Sequence, residues 1–176
     1  SVETRRGVSL YLYMYYIVDA NNLAGKMGII KENDFDKILI ELVKNYLGNS
    51  GNEMVLVFDG HEYMGDRYRE GNLTVVYTPK DEQYRVADDL IVELVEKRVA
   101  DHESRRYVRT PIVLVTDDNG LKERLKDLAA DRKIIISSTD ELAGRLKARL
   151  MPDEDGTNNE TRGLDKDDAK KINDEL

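Results

Sequence analysis

The feature that most constrains the fold of this chain is a repeated change in the spacing of its apolar residues. Continuous apolar or aromatic runs occupy residues 10–18, 54–58, 73–77, 112–115 and 134–136. Such runs are typical of strands that are buried on both faces. Between most of them the apolar residues recur every three or four positions, as they do along one face of a helix. Strand and helix therefore alternate, which predicts an α/β fold with a largely parallel, five-stranded sheet and helices on both faces.

The helical stripes lie at residues 35–46, 86–95 and 121–128, and the sequence Ser138-Thr139-Asp140-Glu141 has the spacing of a capping box. This box predicts a last helix that runs to about Leu150. The run at 73–77 has no convincing helical stripe before it, so we expect that strand at an edge of the sheet.

Length and charge suggest how the chain is divided. The chain has 176 residues, enough for one domain of ordinary size. We predict an N-terminal segment 1–9 that is disordered or foreign to the natural sequence, a folded domain at 10–150 and a tail at 151–176. The tail holds nine acids and four bases, a net charge of −5 out of −8 for the whole chain. It has few apolar residues to offset the entropy of ordering, so we expect it to be mostly mobile.

Composition excludes several classes of function. A net charge of −8 argues against a protein that holds nucleic acid or an anionic membrane by bulk positive charge. The sequence has no cysteine, which excludes disulfides, thiolate catalysis and thiolate metal sites. The longest apolar run is too short and too rich in tyrosine to cross a bilayer. These features predict a soluble protein of the cytoplasm.

Acidic residues follow three of the predicted strands and begin one predicted helix. Asp19 ends the first run, Asp59 the second and Asp117-Asp118 the fourth, while Asp88-Asp89 lies at the start of the helix that leads back along the sheet. The carboxyl ends of parallel strands meet at one edge, so these carboxylates should gather there. Like charges raise one another's pKa, and a divalent cation relieves that conflict. All-oxygen ligands favour Mg²⁺ or Mn²⁺.

Simpler roles remain open for each of these acids. An aspartate at a strand end is often a helix cap or a turn former. Asp59, followed by Gly60, fits a turn better than a metal ligand. On a helical wheel Asp88 lies at the margin of the buried face and Asp89 nearly opposite, so Asp88 is the better candidate for a site and Asp89 for a solvated charge.

Basic residues fall into two groups. Lys26, Arg67, Arg69, Lys80 and Arg85 lie in segments predicted near the acidic edge, where they could follow a phosphate backbone or act as ordinary solvated charges. The denser group at 97–109 follows the helix that begins at Asp88. A helix of about fourteen residues, at about 1.5 Å per residue, carries that group roughly 20 Å away, so we predict that it does not contact substrate.

Four motifs, in order, resemble those of a known family. They are Asp19-Ala20-Asn21-Asn22, Val57-Phe58-Asp59-Gly60, the stretch from Val76-Tyr77-Thr78-Pro79-Lys80 to Ala87-Asp88-Asp89, and Val115-Thr116-Asp117-Asp118. Together they resemble the NYN domains, in particular the YacP-like ribonucleases of the PIN-like nuclease superfamily, over about residues 13–150. Ala20 stands where the family favours glycine, and Asp117 stands at a small polar position.

The resemblance implies a PIN-like three-layer α/β/α sandwich and an endoribonuclease activity. Carried over by position, Asp19, Asp88 and Asp118 are the catalytic and metal-binding carboxylates and Asn22 supports Asp19. The remaining supporting positions implied by the motifs are Asp59, Asp89, Thr116 and Asp117, the last as a helper of the metal site or a helix cap.

Three functions follow as hypotheses. The first is Mg²⁺- or Mn²⁺-dependent hydrolysis of RNA, in the processing of mRNA or ribosome-associated RNA. The second keeps the fold without catalysis, as a module that binds RNA or the ribosome, and the net negative charge favours it slightly. The third is a phosphohydrolase with Asp19 as nucleophile, which ranks last because that chemistry usually needs a second acid where Asn21 stands.

Overall fold

The computed structural model describes residues 13–48, 50–60, 65–79, 87–104 and 110–150. The strands are β1 Tyr15–Asp19, β2 Glu53–Phe58, β3 Asp66–Glu70, β4 Leu73–Tyr77, β5 Ile112–Val115 and β6 Ile135–Ser137. The helices are α1 Ala20–Met27, α2 Phe35–Leu47, α3 Ala87–Ser104, α4 Asn119–Arg124, α5 Lys126–Ala130 and α6 Thr139–Leu150. None of the helices in these ranges is long and apolar enough to span a membrane.

The strands form one sheet in the order β3-β4-β2-β1-β5-β6. Every neighbouring pair is parallel except β3 and β4. The α/β class and the largely parallel sheet are therefore confirmed, but the sheet has six strands instead of five. The additional strand, β3, is exposed at all five residues, so it lacks the apolar run that marks a buried strand.

This additional strand also changes the position of β4. We expected residues 73–77 at an edge, and that expectation is wrong, because β4 pairs with β2 on one side and with β3 on the other. The edge strand is β3, whose five residues include two arginines and two acids. Charged side chains on an edge strand discourage pairing with another chain.

Two apolar cores lie on opposite faces of the sheet, which gives the predicted three layers. Alternate residues of β1 point to the two sides: Val18 packs with α1, α2 and α6, and Ile17 packs with α3. Helix α1 was not among the predicted elements. The predicted stripe at 121–128 forms two short helices that meet at Leu125. The first strand begins at Tyr15, and residues 1–12 lie outside the described part of the chain.

The strand order determines where a ligand would bind. From the central strand β1 the chain builds the sheet first toward β2 and β4, then returns through α3 to β5 on the other side of β1. Adjacent strands β1 and β5 are thus followed by connections on opposite faces. In open parallel sheets the crevice at such a switch point, beyond the carboxyl ends of the strands, is the usual ligand site.

Candidate functional site

Asp19 is the most deeply buried acid at this crevice, with 5% of its surface exposed. It ends β1 and caps α1, because its Oδ1 accepts a hydrogen bond from the backbone N–H of Asn22 at 3.0 Å. Its Oδ2 accepts one from the Asn22 side-chain amide at 2.8 Å. Asn22 therefore supports Asp19 through both its backbone and its side chain, which fixes the orientation of the carboxylate.

Thr116 connects the ends of β1 and β5. Its buried hydroxyl donates to Asp19 Oδ2 at 3.4 Å and accepts from the backbone N–H of Asp118 at 3.1 Å. Asp118 in turn caps α4, where its Oδ1 accepts from the N–H of Leu121 at 2.8 Å. A single hydroxyl thus fixes the position of two predicted site residues relative to each other.

Asp88 reaches the same crevice from the first turn of α3 and is half-buried. Burial raises the pKa of its carboxyl, the charges of Asp118 and Asp19 raise it further, and Arg124 lowers it. The charges of Asp118 and Asp19 therefore act on Asp88 at this edge of the sheet. The structure therefore brings together the acids that the sequence singled out from three separate elements.

The donor type fits a hard divalent cation, since all three groups supply carboxylate oxygens. Their spacing is wider than a shared site requires: among the described residues no three Asp, Glu or His side chains stand close enough to hold one metal ion. Asp19 and Asp118 are held by their hydrogen bonds, whereas Asp88 has none to another described residue. Of the three carboxylates, Asp88 is the least constrained.

Asp59 binds the start of α3, although the two are 28 residues apart in the sequence. Its side chain is exposed, and its Oδ1 accepts from the N–H of Ala87 at 2.9 Å, at the first residue of that helix. Its own N–H donates to Asn21 Oδ1 at 3.1 Å. Asp59 therefore fixes the helix end that carries Asp88, a positioning contact in addition to the turn that its sequence suggested.

Asp117 and Asp89 also have structural partners. Asp117 Oδ1 accepts from the N–H of Thr139 at 3.1 Å and its Oδ2 from the Thr139 hydroxyl, so it caps α6. The hydrogen bond from the Thr139 side chain lowers the pKa of Asp117. Asp89 forms an ion pair with Arg124 at 2.9 Å. Arg124 was missed in the sequence, although its place in the helix after Asp118 brings it to the same edge.

The basic residues that we expected near the acidic edge lie in different places in the structure. Lys26 forms an ion pair with Asp140 at 2.9 Å, near the start of α6. Arg67 and Arg69 lie on strand β3 and not in a loop. Arg69 pairs with Thr74, toward the amino end of β4, so it extends away from the acidic edge. Lys80 and Arg85 lie outside the described residues.

A cavity of about 880 Å³ lies at the other end of the strands, between the last turns of α3 and the start of β5 and β6. Its lining includes Glu103 and Thr110; residues 105–109 lie outside the described ranges. The acidic crevice is defined by its converging polar groups and not by the size of a cavity.

The comparisons with known proteins identify the family and the fold. The fold is similar to that in a crystal structure of a point mutant of Rae1 (YacP) from Bacillus subtilis, with a TM-score of 0.55 and 21% sequence identity over 78% of this chain and 77% of that one. No curated protein matches the sequence. Residues 16–175 match the family described as the YacP-like NYN domain. The chain therefore belongs to the YacP-like NYN domain family, whose fold is a nuclease fold.

Proposed function

We propose that this protein is an endoribonuclease that hydrolyses RNA phosphodiester bonds with the help of Mg²⁺ or Mn²⁺. The observation that carries the proposal is the half-buried carboxylate of Asp88, which faces the charges of Asp19 and Asp118 at the switch point of the sheet. Three separate elements converge there, and a cation removes the repulsion among their charges. Asp19, Asp88 and Asp118 are the candidate ligands, and Asp88, the least constrained of the three, would have to move toward the other two for them to share one ion.

The hydrogen bonds around the site prepare two of these ligands. Asn22 and Thr116 direct donors at Asp19 and so keep its carboxylate oriented. The cap on α4 fixes one oxygen of Asp118. A bound divalent ion supplies activation of water and stabilisation of the departing oxyanion, the usual contribution of metals to phosphodiester hydrolysis.

RNA would approach an edge that carries little positive charge. Lys26 is partly neutralised by Asp140, and Arg124 by Asp89. We propose that Arg67 and Arg69, with Lys80 and Arg85 of the segment outside the described residues, contact the RNA backbone, which binds cations without regard to sequence. We place the activity in the cytoplasm, on mRNA or ribosome-associated RNA.

Asp88 offers the cleanest test. Asp88→Asn removes the charge without breaking any hydrogen bond to a described residue, so we expect an intact fold and a loss of Mn²⁺-dependent cleavage of at least 100-fold, in the range of charge-stabilising groups at active sites. Asp127→Asn, the same change at an exposed position of α5, should cleave normally. Full cleavage by purified Asp88→Asn protein would contradict the proposal.

The second candidate is an RNA- or ribosome-binding module without catalysis. The spacing of the carboxylates, too wide for a shared ion among the described residues, favours it. A mixed RNA ladder, incubated with Mn²⁺ and separately with a chelator, separates the two: the nuclease shortens the ladder with Mn²⁺ only, whereas the module binds the RNA and leaves it whole. A nucleophilic role for Asp19 is disfavoured, because both of its oxygens accept hydrogen bonds.

A further inference from the structure

A second cluster of positive charge lies on the face of the sheet covered by α3. A groove of about 230 Å³ separates β3 from the second half of α3, and we call it the β3–α3 groove. Its cationic residues are Arg67 and Arg69 from β3 and Lys97 and Arg98 from α3; its acidic residues are Glu53 and Asp101. The sequence had separated these cations, because β3 was not predicted and residues 97–109 were judged to be remote.

Three of the four cations are available for a ligand. Within the described ranges Arg67, Lys97 and Arg98 form no ion pair, while Arg69 lies 3.8 Å from Glu53. The guanidinium of Arg98 lies 3.9 Å from the centre of the Tyr15 ring. Its Nε is buried and, among the described residues, has no hydrogen-bond partner. A buried N–H that lacks an acceptor, on a half-buried cation, favours the arrival of an anion.

Electrostatics shows that the arginines converge. Arg98, Arg67 and Arg69 each lower the pKa of the Tyr15 hydroxyl, against a larger rise caused by burial. All three guanidinium groups therefore act on one point, the floor of the groove. Glu53 acts there in the opposite direction.

The groove is connected to the acidic crevice along the sheet. Asp19 is paired with Val57, Val57 with Val76, and Val76 with Arg67. Residues paired in register point to the same side, here the side of α3, where Val57 and Val76 pack. Three strand spacings of about 4.8 Å place the Arg67 backbone about 14 Å from that of Asp19.

We propose that the β3–α3 groove binds the phosphate backbone of single-stranded RNA and directs the strand toward the crevice of Asp19, Asp88 and Asp118. The substrate class rests on the proposed function; the groove, its charge and its distance from Asp19 do not. Cations outnumber acids four to two among its charged residues. Binding of this kind depends on phosphates and not on bases, so it should tolerate many sequences and fall steeply with salt.

The test measures binding without cleavage. The full chain carrying Asp88→Asn, in a chelator, is titrated with a fluorescein-labelled oligouridylate over a range of KCl concentrations, and fluorescence anisotropy gives the affinity. The groove variant adds Arg67→Gln and Lys97→Gln, both exposed residues. The matched control adds Lys37→Gln and Lys147→Gln, exposed lysines on α2 and α6, on the other face of the sheet.

We expect the groove variant to bind more weakly and its slope of log affinity against log salt to be shallower by about 1.4, since each contact to a single strand contributes about 0.7. The control should keep the parent slope. An unchanged slope in the groove variant, or an equal fall in both variants, would overturn the proposal. Displacement of the RNA by polyglutamate at equal charge concentration would also overturn it, in favour of an acidic peptide as the ligand.

The outcome is separable from that of the proposed function. If the native chain cleaves RNA but the groove variant keeps its slope, the groove proposal alone fails. If the slope falls as expected but the native chain never cleaves, the groove proposal stands and the nuclease proposal fails.

Discussion

Gly60 shows how closely two strand ends approach beside the crevice. Its N–H donates to Thr78 Oγ1 at 2.9 Å, and a Cβ added at Gly60 would lie 1.6 Å from the Thr78 carbonyl oxygen. Gly60→Ala must therefore separate β2 from the segment after β4, at a cost of about 1–3 kcal/mol in the free energy of unfolding, measured by urea denaturation.

Gly144→Ala is the control for that change. A Cβ at Gly144 meets nothing within 4 Å, and the residue lies inside α6. Alanine there should raise the free energy of unfolding by up to about 1 kcal/mol, because it lowers the entropy of the unfolded chain and favours the helix. A Gly60→Ala protein that is as stable as the parent, or a Gly144→Ala protein that is less stable than the parent, would contradict this account of the packing.

Asp88 links stability to pH in the opposite direction from most aspartates. Its pKa is raised in the fold, first by burial and then by Asp118 and Asp19. The folded state therefore binds this proton more tightly than the unfolded state, and the stability so gained is lost as pH rises through the raised pKa. At neutral pH the ionised Asp88 carboxylate lowers the free energy of unfolding, so Asp88→Asn should be more stable than the parent protein.

The measurement is the urea midpoint of Asp88→Asn and of the parent across the acid range, without metal. The advantage of the variant should be full above the raised pKa, shrink as pH falls through it, and be gone below the ordinary aspartate value of 3.8. A parent that is the more stable of the two at neutral pH would show that the carboxylates do not repel one another in the folded protein. Asp127→Asn again provides the exposed comparison.

Helix ends in this protein are capped from far along the chain. Asp117 caps α6 across 22 residues, and Asp59 holds the first N–H of α3 across 28. Asp117→Ala should cost about 1 kcal/mol, the usual value of a lost cap, and lower the melting temperature by several degrees. Asp117→Asn keeps an acceptor oxygen and should retain most of that stability.

The pH dependence of this cap has the usual sign for an acid. The Thr139 hydrogen bond lowers the pKa of Asp117, so its contribution is present above the ordinary aspartate pKa and is lost as pH falls through the lowered value. The difference in melting temperature between the parent and Asp117→Ala should therefore become smaller in strong acid, where only the acceptor oxygen still contributes. A difference that does not change with pH would mean that the charge of Asp117 does not stabilise α6.

Burial determines which strands and helices could be predicted from the sequence. Strands β2, β4 and β5 are apolar runs because both of their faces are covered, and α2 shows a stripe because one face is. Strand β3 has no such signature, since all its side chains are exposed. Helix α1 is only eight residues long and mixes small and amide side chains, which gives no clear period.

The choice of the three site carboxylates drew on more than strand position. The helical wheel favoured Asp88 over Asp89, and the family motifs singled out Asp19, Asp88 and Asp118, a selection that stays a prediction. Position at strand ends indicated only that acids would gather at one edge of the sheet. It was not enough to show that Asp59 and Asp117 act as caps for α3 and α6, since their partners are set by the three-dimensional path of the loops. For the same reason the sequence did not indicate that Arg67 and Arg69 line one groove with Lys97 and Arg98.

At the scale of the whole molecule, net charge and local charge oppose each other. The chain carries −8, yet four cations line the β3–α3 groove and several acids gather at the crevice. If the groove binds RNA as proposed, the body of net −3 that carries it should do so at low salt, while residues 152–176 add −5 to the same molecule. That additional negative charge should repel RNA over distances up to the screening length, about 10 Å at 0.1 M salt.

Removal of residues 152–176 should therefore raise the affinity for RNA at low salt, and the gain should shrink as added salt screens the repulsion. The measurement is the anisotropy titration described for the groove, on the Asp88→Asn background, with urea denaturation to verify that the shortened protein folds as the parent does. If the groove is the binding surface, the shortened protein should still lose slope when Arg67 and Lys97 are changed to glutamine. An affinity that stays the same at low salt would mean that the charge of these residues does not act on RNA bound to the body, and a fall would mean that they contribute to binding.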